Sequence, residues 1–293
     1  MVLSAPTGAG KTALTLELNP DIFEIVSFDS RQVYKELQIG TSKPSLLERN
    51  CIPHHLIDIL EPNEKISARE FVNLANHSVG NILSRKKIPI LTCGTGFYLK
   101  AFLYGMFEFP EVSPETKKII SQLSREEKLS QLQIQDPIRF QELNPNDIYR
   151  IERALEIALE GGKWHDYSTP SGGYLQNLSV EWIPLYIDTP RDVLYKRINL
   201  RSESMIQNGL LTETKNVMEN YGEDCFALNS LGYNFAVEII HGKITLECLK
   251  EKFSQSHRNY AKKQITWFKK ETILKPLLWD EALSLLKKIE IQG

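Results

Sequence analysis

Two rhythms of apolar and polar positions alternate along the first hundred residues. Short apolar runs at Val2-Leu3-Ser4, Phe23-Glu24-Ile25-Val26-Ser27 and Lys87-Ile88-Pro89-Ile90-Leu91-Thr92 have the length and flanks of strands, and Leu56-Ile57-Asp58-Ile59 is a further candidate. Between them, apolar residues recur at helical spacing. One such stretch runs from Ala13 to Leu18, a second is opened by the capping-box pattern Ser67-Ala68-Arg69-Glu70 and reaches about Arg85, and a third starts at Phe97. Strands alternating with helices predict an α/β fold around a parallel sheet. The first strand is short on its N-terminal side, as a start codon assigned late would leave it.

The pattern changes near Pro110. From Ser113 to Gly162 every periodic segment is helical, with Ser113-Pro114-Glu115 as one start and the span Asp147 to Glu160 closed by Gly161-Gly162. Ser168-Thr169-Pro170-Ser171-Gly172-Gly173 reads as a loop. Glu181 to Ile187 returns to strand character, and helices are expected from there to the end. The predicted organisation is an α/β core made of 1–110 and 181–293, with 111–180 as an inserted all-helical domain.

Composition narrows the function classes. The chain has 293 residues, 42% hydrophobic and 25% charged, which fits a folded protein and excludes a disordered or collagen-like one. Lys plus Arg number 35 against 37 for Asp plus Glu, so nucleic acid can be held only by a local basic patch. The four cysteines, Cys51, Cys93, Cys225 and Cys248, are far apart and form no Cys-x-x-Cys pair, as expected of reduced thiols. His54 and His55 lack metal-ligand spacing to any other His or Cys. No run approaches the ~18 apolar residues of a membrane span and no basic-then-apolar leader is visible, so a cytoplasmic protein without membrane contact is expected.

The strongest chemical signal is Ala5-Pro6-Thr7-Gly8-Ala9-Gly10-Lys11-Thr12, which matches G-x-x-x-x-G-K-[ST] except at Ala5. Strand, glycine loop and helix follow one another here, as a phosphate-binding loop requires. Backbone N–H groups would surround phosphate oxygens, Lys11 would add a point charge, and the Thr12 hydroxyl would reach a Mg²⁺ ion. Ala5 fits if its φ stays negative. A glycine-rich turn before a helix is the plain alternative. NTP hydrolases usually carry an acidic metal ligand after a strand, but Ile90-Leu91-Thr92-Cys93-Gly94 has none. The first carboxylate after the loop is Asp29, beyond the second strand. Ligands of open α/β sheets lie outside the carboxyl ends of the strands, so Asp29 is expected in the same crevice, although capping Ser30-Arg31-Gln32 would also explain it.

At this point the motifs coincide with those of a family. The chain resembles the tRNA dimethylallyltransferases (tRNA isopentenyltransferases) of bacterial type. The residues that carry this, in order, are the phosphate loop; Ser27-Phe28-Asp29-Ser30-Arg31-Gln32-Val33-Tyr34-Lys35; Ile39-Gly40-Thr41-Ser42-Lys43-Pro44; Pro53-His54-His55-Leu56-Ile57-Asp58; Gly94-Thr95-Gly96-Phe97-Tyr98-Leu99-Lys100-Ala101; Arg153-Ala154-Leu155-Glu156; Leu231-Gly232-Tyr233; and Tyr260-Ala261-Lys262-Lys263-Gln264-Ile265-Thr266-Trp267-Phe268. Ala5 and Cys93 depart from the family's glycines.

The resemblance implies a P-loop NTPase-like core with a parallel sheet and an inserted helical domain that clamps the anticodon stem-loop of tRNA. It implies transfer of a dimethylallyl group from dimethylallyl diphosphate to the N6 amine of adenosine 37 in tRNAs reading codons that start with U, with Mg²⁺ as cofactor and a monomeric protein. Asp29, Thr7 and Arg201 are the implied catalytic residues, and residues 5–12 bind the diphosphate. Contacts to tRNA are implied for Asp29, Ser30, Arg31, Gln32, Thr95, Lys117, Tyr149, Arg150, Arg153, Gly232, Tyr233, Lys262, Lys263, Gln264, Trp267 and Lys269. For the arginines, a solvated helix face is the bland alternative.

Residues 250–275 hold eight Lys or Arg and only two acids, Glu251 and Glu271. As a helix, this segment would set Arg258, Lys262 and Lys269 on one face and Phe253, Tyr260, Gln264 and Trp267 on another. It could equally be an amphipathic helix with snorkelling lysines. Two rival activities stay open on sequence alone: a P-loop kinase or NTPase, and a prenyltransferase of free adenine nucleotides.

Overall fold

A computed structural model of the chain describes residues 1–167, 170–176 and 180–292. The chain divides into two compact units, Met1–Phe102 with Ser179–Gly293, and Leu103–Leu178.

The first unit is built on six strands: β1 (Val2–Ser4), β2 (Phe23–Phe28), β3 (His54–His55), β4 (Ile88–Cys93), β7 (Pro184–Ile187) and β8 (Lys275–Leu277). They lie in the order β3-β2-β4-β1-β7-β8 and every pairing is parallel. A parallel sheet needs helical crossovers, which are supplied here by α1 (Lys11–Leu16), α2 (Leu46–Cys51), α3 (Ala68–Ser84), α4 (Gly96–Tyr104), α9 (Arg191–Gln207), α10 (Leu210–Tyr221), α11 (Tyr233–Ile240) and α12 (Leu246–Phe268), and α13 (Trp279–Gln292) follows the last strand. Leu3, Ile25, Ile90, Leu185 and Ile187 are buried in the sheet and pack with Leu14, Leu194 and Leu286 from the helices. Within β2, Glu24 is 2% exposed, and its carboxylate accepts from both guanidinium nitrogens of Arg85 (2.5 and 2.7 Å), with His55 Nε2 at 2.8 Å and Lys87 Nζ at 3.1 Å. These partners, Arg85 first, hold the Glu24 carboxyl down at about 2.

Register brings the strand ends together. β2 pairs with β4 from Phe23 opposite Ile88 to Phe28 opposite Cys93, so Asp29 and Gly94 leave the sheet side by side. Ser4 of β1 also lies opposite Cys93, which brings the phosphate loop to the same edge. The sheet's carboxyl edge is therefore level where the chemistry is expected.

The second unit contains β5 (Gly105–Met106), α5 (Pro114–Gln122), α6 (Arg125–Gln135), α7 (Pro137–Glu142), α8 (Ile148–Leu159) and β6 (Ser171–Gly172). Its core is Ile120, Leu132, Ile151, Ala154 and Leu155. Ser113, Ser124, Asp136 and Asp147 cap α5 to α8 through side-chain oxygens, and the first and last of these starts are the ones read from the sequence.

Four sequence expectations are corrected. The strand expected at Leu56–Ile59 lies two residues earlier, at His54–His55, because Leu56 and Asp58 have φ of 63° and 55°, which an extended chain cannot contain. The first helix begins at Lys11 and ends at Leu16, rather than running from Ala13 to Leu18. Helices do not run unbroken to the end, since β8 extends the sheet; three residues are too few to show alternation, and Pro276 is tolerated on an edge strand. Ser171–Gly172, expected as loop, pairs antiparallel with Gly105–Met106. Ser168 and Thr169 of that loop lie outside the described residues. Among the described residues, no helix is long and apolar enough to cross a membrane.

Candidate active site

The phosphate loop turns out of β1 and into α1 through Gly8 and Gly10, whose φ of 82° and 93° lie where only glycine sits without strain. Ala5 is not among the positive-φ residues, so its methyl is accommodated at 0% exposure. Gly10 offers no side-chain cap to α1. Lys11 folds back over the loop, and its Nζ donates to the carbonyls of Ala5 (2.7 Å) and Pro6 (3.4 Å). Burial lowers its pKa to about 8, against the opposing pull of Cys93 and Asp29. The neighbouring Cys93 thiol is pushed up to about 12 by burial, so it behaves as a small apolar side chain.

Two distant side chains hold the loop from behind. Gln264 on α12 is 6% exposed; its Oε1 accepts from the Thr7 backbone N–H at 2.8 Å and its Nε2 donates to the Gly94 carbonyl at 2.7 Å. Trp279 at the start of α13 donates its indole N–H to the Gly10 carbonyl at 3.2 Å.

Asp29 has two distinct oxygens. Oδ1 accepts the backbone N–H groups of Arg31 (2.8 Å) and Gln32 (3.3 Å), the local turn that capping chemistry anticipates. Oδ2 lies over Gly94, so close that a Cβ there would come within 2.9 Å. Thr95 Oγ1 accepts from the Ser30 N–H at 3.1 Å, and Tyr260 donates its hydroxyl to the Gly94 carbonyl at 3.2 Å.

Lys11, Thr12, Asp29, Arg197 and Arg201 line one cavity of roughly 840 Å³. Burial lowers the Arg201 pKa to about 10, and the Asp29 carboxylate counters part of that shift, which leaves the guanidinium charged. His257, 5% exposed on the same wall, has its Nδ1 2.9 Å from the Phe253 carbonyl. A carbonyl only accepts, so Nδ1 carries the proton, and burial drops the ring's pKa to about 4. Cations and a carboxylate lining the same cavity suit an anionic leaving group and a nucleophile that must lose a proton.

Of the residues singled out from sequence, Thr7, Gly8, Gly10, Lys11, Thr12, Asp29, Ser30, Arg31, Gln32, Thr95, Arg201 and Gln264 share this cavity. Gly232 and Tyr233 are buried, and the Tyr233 hydroxyl donates to Glu213 at 2.6 Å. Lys262, Lys263 and Lys269 are exposed on α12 and its C-cap, with Trp267 half-buried against Gly96. The remaining four belong to the second unit. There Lys117 and Tyr149 are exposed, Arg150 pairs with Asp147, and Arg153 pairs with Glu156 at 2.7 Å while lying over the Phe109 ring. Sequence reasoning gave no role to Arg197, His257, Glu213 or Trp279. Arg197 had a signal, being one helical turn before Arg201. Glu213 and Trp279 are defined by partners far away in the chain. No group of three or more His, Cys, Asp or Glu able to hold a metal is found among the described residues.

Comparison with known proteins identifies the family. The family model for IPP transferase matches residues 32–271. A tRNA dimethylallyltransferase of Leptospira biflexa is 49% identical over 291 residues, covering 99% of this chain and 98% of its own length. One from Leptospira interrogans is 45% identical, with the same coverage. Among solved structures, a tRNA isopentenylpyrophosphate transferase from Staphylococcus epidermidis is 31% identical, with a TM-score of 0.68 over 99% of this chain and 97% of that one.

Proposed function

The chain belongs to the IPP transferase family, the tRNA dimethylallyltransferases, and from that premise we propose that it prenylates the N6 amine of adenosine 37 in the anticodon loop of tRNAs reading codons that start with U, in the cytoplasm. The observation that carries this reading is the single cavity in which Lys11, Arg197 and Arg201 meet Asp29. Dimethylallyl diphosphate lies with its diphosphate in residues 5–12. The amine attacks the allylic carbon, the carbon–oxygen bond breaks, and its electron pair leaves on diphosphate. Lys11 and Arg201 stabilise that developing charge. Asp29 orients the amine through Oδ2 and takes its proton, while Oδ1 stays fixed by the turn. Thr7 and Thr95 contact the substrates from the two strand ends.

Mg²⁺ suits the donor set. It is usually held by few protein ligands plus phosphate oxygens and water, and the Thr12 hydroxyl beside Lys11 matches that pattern. When bound there, it supplies further neutralisation of the leaving group. The helical unit, with Lys117, Tyr149, Arg150 and Arg153, and the lysines of α12 contact the tRNA backbone.

The test offers labelled dimethylallyl diphosphate and Mg²⁺ with either tRNA or AMP. Label on tRNA alone is expected. Label on AMP would identify a free-nucleotide prenyltransferase, and brisk ATP hydrolysis would identify an NTPase.

A further inference from the structure

Between Gln32 and Pro44 the chain contains no helix and no strand longer than a single bridge at Tyr34, yet Gly40, Thr41 and Ser42 form part of the cavity wall. A segment without a ladder must find partners for its backbone N–H groups elsewhere. This one is also strained, since Glu36 and Ser42 have φ of 64° and 50°. Non-glycine residues in that region persist only where their surroundings enforce it.

The enforcement comes from α10. Glu213 extends its carboxylate to three successive backbone N–H groups: Gln38 at 2.9 Å, Ile39 at 2.8 and 3.1 Å, and Gly40 at 3.3 Å. Tyr233 completes the cluster. Its buried hydroxyl donates to Glu213 at 2.6 Å and accepts from the Gly40 N–H at 3.0 Å. Burial and the adjacent carboxylate raise the Tyr233 pKa well above its usual value, so the hydroxyl stays a donor. Its ring leaves no room for a side chain at residue 40, where a Cβ would lie 2.5 Å away. At the far end of the segment, Lys43 is buried and donates to the Tyr34 carbonyl and to Asp58, both at 2.5 Å.

The hold on residues 38–40 reaches the candidate catalytic carboxylate by a short path. Thr41 and Ser42 present their carbonyls to Gln32 Nε2 at 3.4 and 3.2 Å, and Gln32 Oε1 accepts from Ser27 at 3.0 Å. Gln32 in turn gives its backbone N–H to Asp29 Oδ1. We propose that Glu213 is a positioning residue for the acceptor half of the cavity: its carboxylate fixes the 38–40 backbone and, through Thr41, Ser42 and Gln32, the direction of Asp29. This rests on the prenyltransferase reading of the site and adds a residue that touches neither substrate.

The test uses the full chain. Glu213→Gln keeps the shape but leaves a single acceptor oxygen facing three N–H groups and turns an amide toward donors. Single-turnover transfer to tRNA should slow by about 10- to 100-fold, the scale of a small misplacement of reacting groups. Affinity for dimethylallyl diphosphate should stay within about twofold, since the phosphate loop has its own supports. Amide hydrogen exchange at 38–40 should accelerate. Tyr233→Phe removes both hydrogen bonds of that hydroxyl, leaves the carboxylate on its three N–H groups, and should slow transfer by only about fivefold; it carries the test if Glu213→Gln fails to fold. Glu24→Gln is the control. It weakens a buried ion network outside the cavity and should lower melting temperature without changing rate or KM. Unchanged kinetics in Glu213→Gln would overturn the proposal, even with a lower melting temperature, because the residue would then be merely structural. A wild-type protein that labels AMP instead of tRNA would overturn the functional reading alone, and the same rate and exchange comparison would then be made on AMP.

Discussion

Between residues 4 and 12 the cavity wall makes its own bend: two left-handed glycines turn the chain, the Ala9 N–H returns to the Pro6 carbonyl, and Lys11 bonds its own loop, while Gln264 and Trp279 add one hydrogen bond each from outside. Elsewhere in the lining, residues 29–44 take their shape from outside, from Glu213 and Tyr233 about two hundred positions on and from the pairing of buried Lys43 with Asp58. The first wall is set mainly by local backbone conformation, the second mainly by polar side chains from other elements. A charge site made of loop N–H groups can be encoded in eight consecutive residues. A wall without regular secondary structure leaves backbone groups that only outside partners can satisfy.

The largest effect should separate the walls by chemistry. Asp29→Asn keeps an oxygen for the Arg31 and Gln32 N–H groups but cannot accept the amine's proton. Single-turnover transfer should fall by ~10²–10⁴, the usual scale for loss of a general base, with binding of both substrates nearly unchanged. Asp29→Ala should add a loosened turn to the same loss. A wild-type rate in Asp29→Asn would place the proton acceptor elsewhere.

This contrast also decides what the sequence made legible. The phosphate loop, the strands Phe23–Phe28 and Ile88–Cys93 and the Ser67–Glu70 capping box are local patterns, and each is where the residues said it would be. So is the α12 segment, whose Phe253 and Gln264 turn inward while Lys262 and Lys263 remain exposed. What was illegible is non-local. Nothing around Glu213 reveals that its partners lie at residues 38–40, and nothing in Leu56–Ile59 shows the two left-handed residues that break the expected strand. Gln264 could be ranked as a site residue, but its task of joining the Thr7 N–H to the Gly94 carbonyl needed the fold.

A second test acts on the phosphate wall alone. Burial brings Lys11 to about 8, well below an ordinary lysine, so in the free protein its positive charge is lost as pH rises through that value. Diphosphate binding prefers the charged form and must then take up a proton. Affinity for dimethylallyl diphosphate should therefore be level below pH 8 and fall by up to about tenfold per pH unit above it, until Arg201 begins to titrate near 10. Binding of tRNA should not follow that curve. Calorimetric titration from pH 7 to 9.5 reads the slope, and a flat profile would mean that Lys11 is not the charge that senses the diphosphate.

The smallest expected effect lies outside both walls and checks that they are independent of the tRNA-binding surface proposed on α12. Arg258 is engaged with Asn199 at 2.6 Å and Lys269 lies 3.8 Å from Asp188, whereas Lys262 and Lys263 are exposed between the inward-turned Tyr260 and Gln264. If they meet tRNA phosphates, each lost contact reduces the magnitude of the slope of log K against log [salt] by about 0.7–0.9. Lys262→Gln with Lys263→Gln should lower it by about 1.4–1.8 and weaken binding equally across tRNA sequences, since phosphate contacts carry no base information. Affinity for dimethylallyl diphosphate should not move, because Gln264 still ties Thr7 to Gly94 from the buried side of the same helix. An unchanged salt slope with a lower melting temperature would make these lysines packing residues, and α12 would then serve the cavity through its inner face alone.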